Sequence, residues 1–357
     1  MPGFTTHYLF GIDACRRLTS TSMHNMIRRD HSAFALGLQG PDLFFPCKKF
    51  AALQQIGKEL ASIFAMCQIS NIFSMHQVRG KIVKKQIRSL QTKCKCAVIA
   101  SDHIGDLAHR KDTGQFFANL LQSRKLFAGK KHSLSIADAY ICGFMGHYTL
   151  DCTIHPYVYA FTGYNAQTPP SNTEYFGQHA YFETELDSEL LYEKKHLYPS
   201  HFHQNATIRL TTLQRKVIVR MLCYAYRNTY PDISVSELFL SGAPFWMKLG
   251  THLLNDPSGQ KKVLSRLIEK IFLGRAFLSP MVASDYYRFI KDPMNLHHRV
   301  WIHPWTKKSS TASFPELYDQ AEKIYHNVWS NTRICSTLVS RKKKPHAFCP
   351  RTVIFRF

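Results

Sequence analysis

Acidic residues are scarce in this chain. Only 24 Asp and Glu stand against 46 Lys and Arg, a formal net charge of +22 over 357 residues. That imbalance disfavours cationic partners and favours anionic ones: phosphate esters, an anionic membrane surface or nucleic acid. Long apolar runs are missing as well. No stretch approaches the roughly 20 residues that span a bilayer, so any membrane contact is expected to be peripheral. The opening, Met1-Pro2-Gly3-Phe4-Thr5-Thr6-His7, has no charged segment followed by an apolar one. No secretory signal is read there, and a cytoplasmic location is expected. Ten cysteines include one C-x-C, at Cys94 and Cys96, but no C-x-x-C, which argues against a cysteine zinc site. Their dispersal fits a reducing compartment. Gly-x-Ser-x-Gly is absent, which argues against an α/β-hydrolase lipase, and a P-loop is absent, which disfavours NTP hydrolysis.

Clean two-residue alternation is also missing, so the fold class expected is all-α. With 45% hydrophobic residues and 13% aromatics, the chain can bury a large core. Helical patterning is read over 10–26, 105–127, 133–155, 174–195, 207–229, 235–254 and 260–272. Pro156 is expected to limit the third of these, and Thr207 or Thr211 to cap the fifth. Gly40-Pro41-Asp42 marks a turn. One multi-helix domain is expected over 1–330. Within it, 46–100 reads as a basic insertion, with ten Lys and Arg against the single acid Glu59. Residues 331–357 read as a basic, disordered tail containing Arg341-Lys342-Lys343-Lys344.

The chemistry sits between residues 146 and 183. His147, Asp151 and His155 recur at i, i+4 and i+8, which puts the three side chains on one helical stripe. His179 and Glu183 form a second pair at i, i+4. A single H-x-x-x-D is ordinarily a surface ion pair. Two such stripes on apolar helices, beside Tyr140, Phe144, Tyr181 and Phe182, are a different matter. Buried imidazoles and carboxylates are costly unless paired, and a metal removes the cost. Imidazole nitrogen and carboxylate oxygen are ligand types that zinc takes, and facing helices can enclose ions. His7, Asp42 and His109 are further candidates, although each alone reads as readily as a surface or capping residue. Phe4, Tyr148, Tyr157 and Tyr181 are candidates for lining a cleft.

Four segments together resemble the zinc-dependent phospholipase C family, and more specifically a cytosolic-looking Firmicute branch of it. They are Pro2-Gly3-Phe4-Thr5-Thr6-His7-Tyr8-Leu9-Phe10-Gly11, Leu36-Gly37-Leu38-Gln39-Gly40-Pro41-Asp42, Gly146-His147 through His155-Pro156, and Tyr175-Phe176-Gly177-Gln178-His179 through Glu183. The resemblance covers 1–45 and about 103–330. It implies an all-α fold shared with zinc-dependent single-strand nucleases, and up to three zinc ions in a cleft. Asp42, His109, His147 and Asp151 would surround one zinc. His155, His179 and Glu183 would hold a second. His7, with Asp151 bridging, would bind a third. In secreted relatives the N-terminal amino group and carbonyl also hold that third ion, and this chain departs from them there. Two to three ions are therefore expected. The insertion separates Asp42 from His109, and His103 is an alternative to His109.

The activity implied is phosphodiester hydrolysis of phospholipids or related esters, with Asp42 as general base. Peripheral contact with an anionic membrane would accompany it. A single-strand nuclease is the alternative, and the charge suits it. Nucleic acid is nonetheless the less favoured partner, because Cys152, Thr153 and Ile154 stand where the nuclease motif has a further His. A zinc-stabilised binding protein without catalysis is the third reading.

Overall fold

The computed structural model describes residues 3–45 except 19, 104–166 and 173–331, the last with short gaps at 234, 273, 275, 277 and 287–289. The basic insertion, His103 and the tail from 332 lie outside the described residues.

The centre of the fold is one long helix, α6 (Lys131–Phe161). From Ser135 to Asp151 every residue is buried. A helix apolar on all sides belongs inside a bundle. α3 (His31–Gly37) crosses it most intimately, and α8 (Thr212–Thr229), α11 (Phe314–Asn331) and α1 (Phe4–Arg16) wrap the remaining faces. Among the described residues, α2 (Thr21–Arg29), α4 (Ile104–Arg110), α5 (Thr113–Gln122), α7 (Thr173–Lys195), α9 (Glu237–Leu253) and α10 (Gln260–Phe272) are the other α-helices. Strands among the described residues are two-residue pairs: Asn255–Asp256 (β1) with Ala283–Ser284 (β2), and Trp301–Ile302 (β3) with Ser309–Ser310 (β4). The fold is all-α, as the missing alternation implies. Among the described residues, no helix is long and apolar enough to cross a membrane.

Three boundaries differ from the pattern. The span 10–26 is two helices, α1 and α2, with Ser20 in extended conformation starting the second. Ser and Thr side chains compete with helical bonding, and Ser20-Thr21-Ser22 breaks the run. The span 105–127 breaks at Asp112, which takes a left-handed φ of 52° that Asp tolerates. Third, α6 runs through Pro156 to Phe161. Proline in a helix interior costs about 3 kcal/mol. Buried Tyr157 and Val158, with Phe161 stacked on Phe182, supply packing beyond it that outweighs the cost. Thr211 is the cap of α8, and its hydroxyl and the Gln214 side chain form a reciprocal capping box.

Close approach of α3 to α6 depends on glycine. A Cβ on Gly143 would collide with the Phe34 carbonyl oxygen, and one on Gly37 with the Tyr140 carbonyl oxygen. The contact fixes where the chain leaves α3, and so where Asp42 is delivered. Gly143→Ala is expected to destabilise the fold by about 1–3 kcal/mol through overpacking. Urea unfolding monitored by circular dichroism measures it, and an unchanged midpoint would refute the role.

Candidate metal centre

Four elements converge on α6. α1 supplies His7, the 3-10 turn Gly40–Phe44 supplies Asp42, and α4 supplies His109. α6 supplies His147, Asp151 and His155, and α7 supplies His179 and Glu183. The structure brings all eight sequence-predicted residues together, and all are buried or nearly so. Their ligand atoms form three groups, each with members within 4.8 Å of one another: His7, His147 and Asp151; Asp42, His109 and His147; His155, His179 and Glu183. Ligand atoms bound to one ion at about 2 Å lie within about 4 Å of one another, so each group closes on an ion only after small side-chain shifts. His147 belongs to two groups, a sharing the family resemblance does not imply.

Asp151 is the hub. Its Oδ1 lies 3.3 Å from His7 Nε2, and its Oδ2 lies 3.2 Å from His147 Nε2, 3.7 Å from His109 Nε2 and 3.8 Å from His155 Nδ1. Asp42 Oδ1 approaches His109 Nε2 at 3.0 Å, and Glu183 Oε1 approaches His179 Nε2 at 2.8 Å. Yet both Asp151 oxygens, Asp42 Oδ1 and both His7 nitrogens lack a hydrogen-bond partner with acceptable geometry. Orphaned polar atoms at this depth are expensive, and His7 Nε2 and Asp151 Oδ1 lie side by side without satisfying each other.

Ring orientation sharpens the point. His109 Nδ1 lies 2.9 Å from the Gly105 carbonyl, and His147 Nδ1 lies 3.2 Å from the Leu38 carbonyl. A carbonyl only accepts, so each ring donates through Nδ1–H and presents a bare Nε2. Those two Nε2 atoms face each other at 3.2 Å. Only a cation relieves two opposed lone pairs: a proton on one ring, or a metal ion. A histidine fixed through its second nitrogen to a carbonyl is also the usual outer support of a metal ligand. The residues present therefore fit a metal.

Burial and mutual charge shift several of these groups, and in opposite directions. Burial holds His155 and His179 well below the ordinary imidazole value, so their lone pairs stay available. Burial, aided by His147, lowers His7. Burial opposes the charged form of His147, but Asp151 and Asp42 outweigh it and raise its pKa. Burial would also raise Asp151, yet His147 and its other ring neighbours hold it well below the carboxylate range. Glu183 is pushed well above its ordinary value, by burial first.

Gly40 is what lets the Asp42 turn sit against this cluster. Its φ is +49°, and a Cβ there would overlap the His147 ring. On the other flank, Asp187 accepts from the Thr5 and Thr6 backbone N–H groups at 3.0 and 2.8 Å. It thereby holds the first turn of α1, and with it His7.

Of the expected cleft-lining aromatics, Tyr148 and Tyr157 are core residues, each with no exposure. Their hydroxyls donate to the Ala108 and Pro293 carbonyls. Full burial with a satisfied hydroxyl excludes them from a cleft. The aromatics that do flank the site are others. Tyr159 stacks on His155 at 5.2 Å and lies 5.0 Å from His179. Tyr164 and Trp305 pack on Tyr159 at 4.5 and 5.4 Å. The Tyr175 hydroxyl lies 3.4 Å from His179 Nδ1. A signal for two of them was available: Tyr159 continues the His147-Asp151-His155 stripe by four residues, and Tyr175 precedes His179 by four.

A family model described as zinc dependent phospholipase C matches residues 6–230, which is more than half of the chain and includes His7 through Glu183. No curated protein and no solved structure matches the chain.

Two outcomes check the geometry. Gly40→Ala is expected to displace His147, lower the bound zinc measured by elemental analysis and cost about 1–3 kcal/mol; full metal content would refute it. The second concerns Asp187, whose carboxyl burial pushes up to about 6 from 3.8. A raised folded value means that its contribution is complete below about pH 3.8 and is lost as pH rises through about 6. Relative to Asp187→Asn, the wild type should therefore lose stability over that window, by at most about 3 kcal/mol. A flat difference in unfolding free energy across the window would contradict this.

Proposed function

The chain belongs to the zinc-dependent phospholipase C family, and we propose that it is a zinc-dependent phosphodiesterase acting on phospholipids or related phosphodiesters. The observation that carries the reading is the opposition of the His109 and His147 Nε2 atoms, 3.2 Å apart, beside the buried carboxylates of Asp42 and Asp151. Two to three zinc ions would be held by the three residue groups: Asp42, His109 and His147; His7, His147 and Asp151; His155, His179 and Glu183. Bound there, they supply Lewis-acid neutralisation of phosphoryl oxygens and a lowered pKa for water.

The chain's own residues do the rest. Asp42, on the rim of the cluster, takes the proton from the water that attacks phosphorus in line. As the new P–O bond forms, the bond to the leaving alkoxide breaks, and the alkoxide takes a proton from solvent and departs as the alcohol. His109 and His147 keep their tautomers because the Gly105 and Leu38 carbonyls hold Nδ1–H. Tyr159, Tyr164 and Trp305 pack along the His155–His179 side. No covalent enzyme intermediate is required.

Purified protein carrying zinc should hydrolyse phosphatidylcholine or a soluble aryl phosphocholine ester. Asp42→Asn should lower turnover by about 10²–10⁴ with its zinc retained. Cleavage of single-stranded DNA with neither ester touched would overturn the lipid reading in favour of a nuclease. Full activity in Asp42→Asn would remove Asp42 as the base.

A further inference from the structure

α10 carries its apolar face on the side opposite to the protein. At about 100° per residue, Val263, Leu264, Leu267, Ile268 and Ile271 fall within one arc of roughly 140°. All five are exposed, between 45% and 58%. The opposite side is polar and buried, with Lys262 and Glu269 at 5% and 6%. Glu269 accepts from the Leu278 and Ser279 backbone N–H groups and from the Ser279 hydroxyl. The Lys262 backbone N–H donates to Asp256 Oδ2 at 2.9 Å, and its Nζ lies 4.6 Å above the Tyr181 ring. Polar contacts thus fasten this helix and fix its aliphatic stripe outward. A contiguous exposed stripe of this kind marks an interaction surface.

Charge identifies the occupant. Exposed Lys261, Arg266 and Lys270 accompany the stripe, while the one acid of the helix, Glu269, is turned inward. α9 packs, as α10 does, on β1 and exposes Leu238, Phe245 and Trp246. Large aliphatics and aromatics flanked by bases compose a helix that lies in the plane of an anionic bilayer, with its apolar face about 5–10 Å into the lipid. A second copy of the chain is a poor fit, because it would bring two charges of +22 together.

We propose that the outward stripe of α10 is a docking surface for anionic phospholipid bilayers. The proposal deepens the phospholipase reading and names the state of its substrate, but it is tested by binding, so either can fail alone. α10 touches ligand helix α7 through Lys262 and Tyr181, so docking holds His179 and Glu183 at a set height over the lipid.

The test is co-sedimentation of the full zinc-loaded chain with phosphatidylcholine vesicles, with and without phosphatidylserine. The wild type should bind the phosphatidylserine vesicles preferentially, and more weakly at high salt. Leu264→Asp combined with Leu267→Asp and Ile268→Asp should weaken binding about tenfold or more. Unfolding temperature, zinc content and soluble-ester turnover should stay unchanged. Lys261→Glu with Arg266→Glu and Lys270→Glu should abolish the phosphatidylserine preference. Wild-type binding by the triple Asp variant would overturn the proposal. So would indifference to phosphatidylserine, or a solution dimer that the triple Asp variant dissociates. If no ester is cleaved but these binding results hold, the docking surface stands without the phospholipase reading.

Discussion

A carboxylate buried among imidazoles is the constraint on which the rest of the structure depends. Asp151 has no exposure and sits within 4 Å of rings from α1, α4 and two turns of its own helix. An ionised carboxyl at that depth is tolerable only when surrounded by positive charge or metal. The neighbouring elements serve that need. α6 is buried along its length and gives the three-residue stripe a rigid backbone. Glycine at the α3–α6 crossing and at Gly40 lets the Asp42 turn reach His147. Asp187 fixes α1 from the far side. Each device brings a ligating side chain toward Asp151.

The surface follows a separate logic. The metal cluster faces inward and is lined by aromatics from Tyr159 to Trp305, whereas α9 and α10 turn apolar side chains to solvent. Burial of Lys262 and Glu269 in place of Val263 and Leu267 is a reversal that core packing would not produce. The proposed phospholipase activity would use both halves: a sheltered place for hydrolysis and an external face with affinity for a lipid surface.

Much of the site was legible in the sequence because helical spacing is a strict geometric rule. The stripes His147-Asp151-His155 and His179-Glu183 needed only the period of the helix and an apolar setting. His7, Asp42 and His109 were less legible by themselves, since nothing in local spacing brings α1, a turn and α4 to one point; that is a tertiary result. Tyr148 and Tyr157, cleft candidates for which core was the commoner reading, are core residues, and sequence position alone does not tell which side of a buried helix meets the core. The stop expected at Pro156 failed because packing of Tyr157, Val158 and Phe161 overrides a local penalty. The stripe of α10 was legible as a helix, but its outward direction was not, since periodicity gives a face without giving its partner. The all-α class followed from the missing alternation, while the break at Asp112 depended on a left-handed residue that no period records.

Zinc K-edge absorption spectroscopy on the purified protein tests the central claim most directly. The account predicts a first shell of nitrogen and oxygen at about 2.0–2.2 Å, with imidazole outer-shell scattering that weakens in His147→Ala. A sulfur shell at about 2.3 Å, or zinc scattering indifferent to His147→Ala, would contradict it.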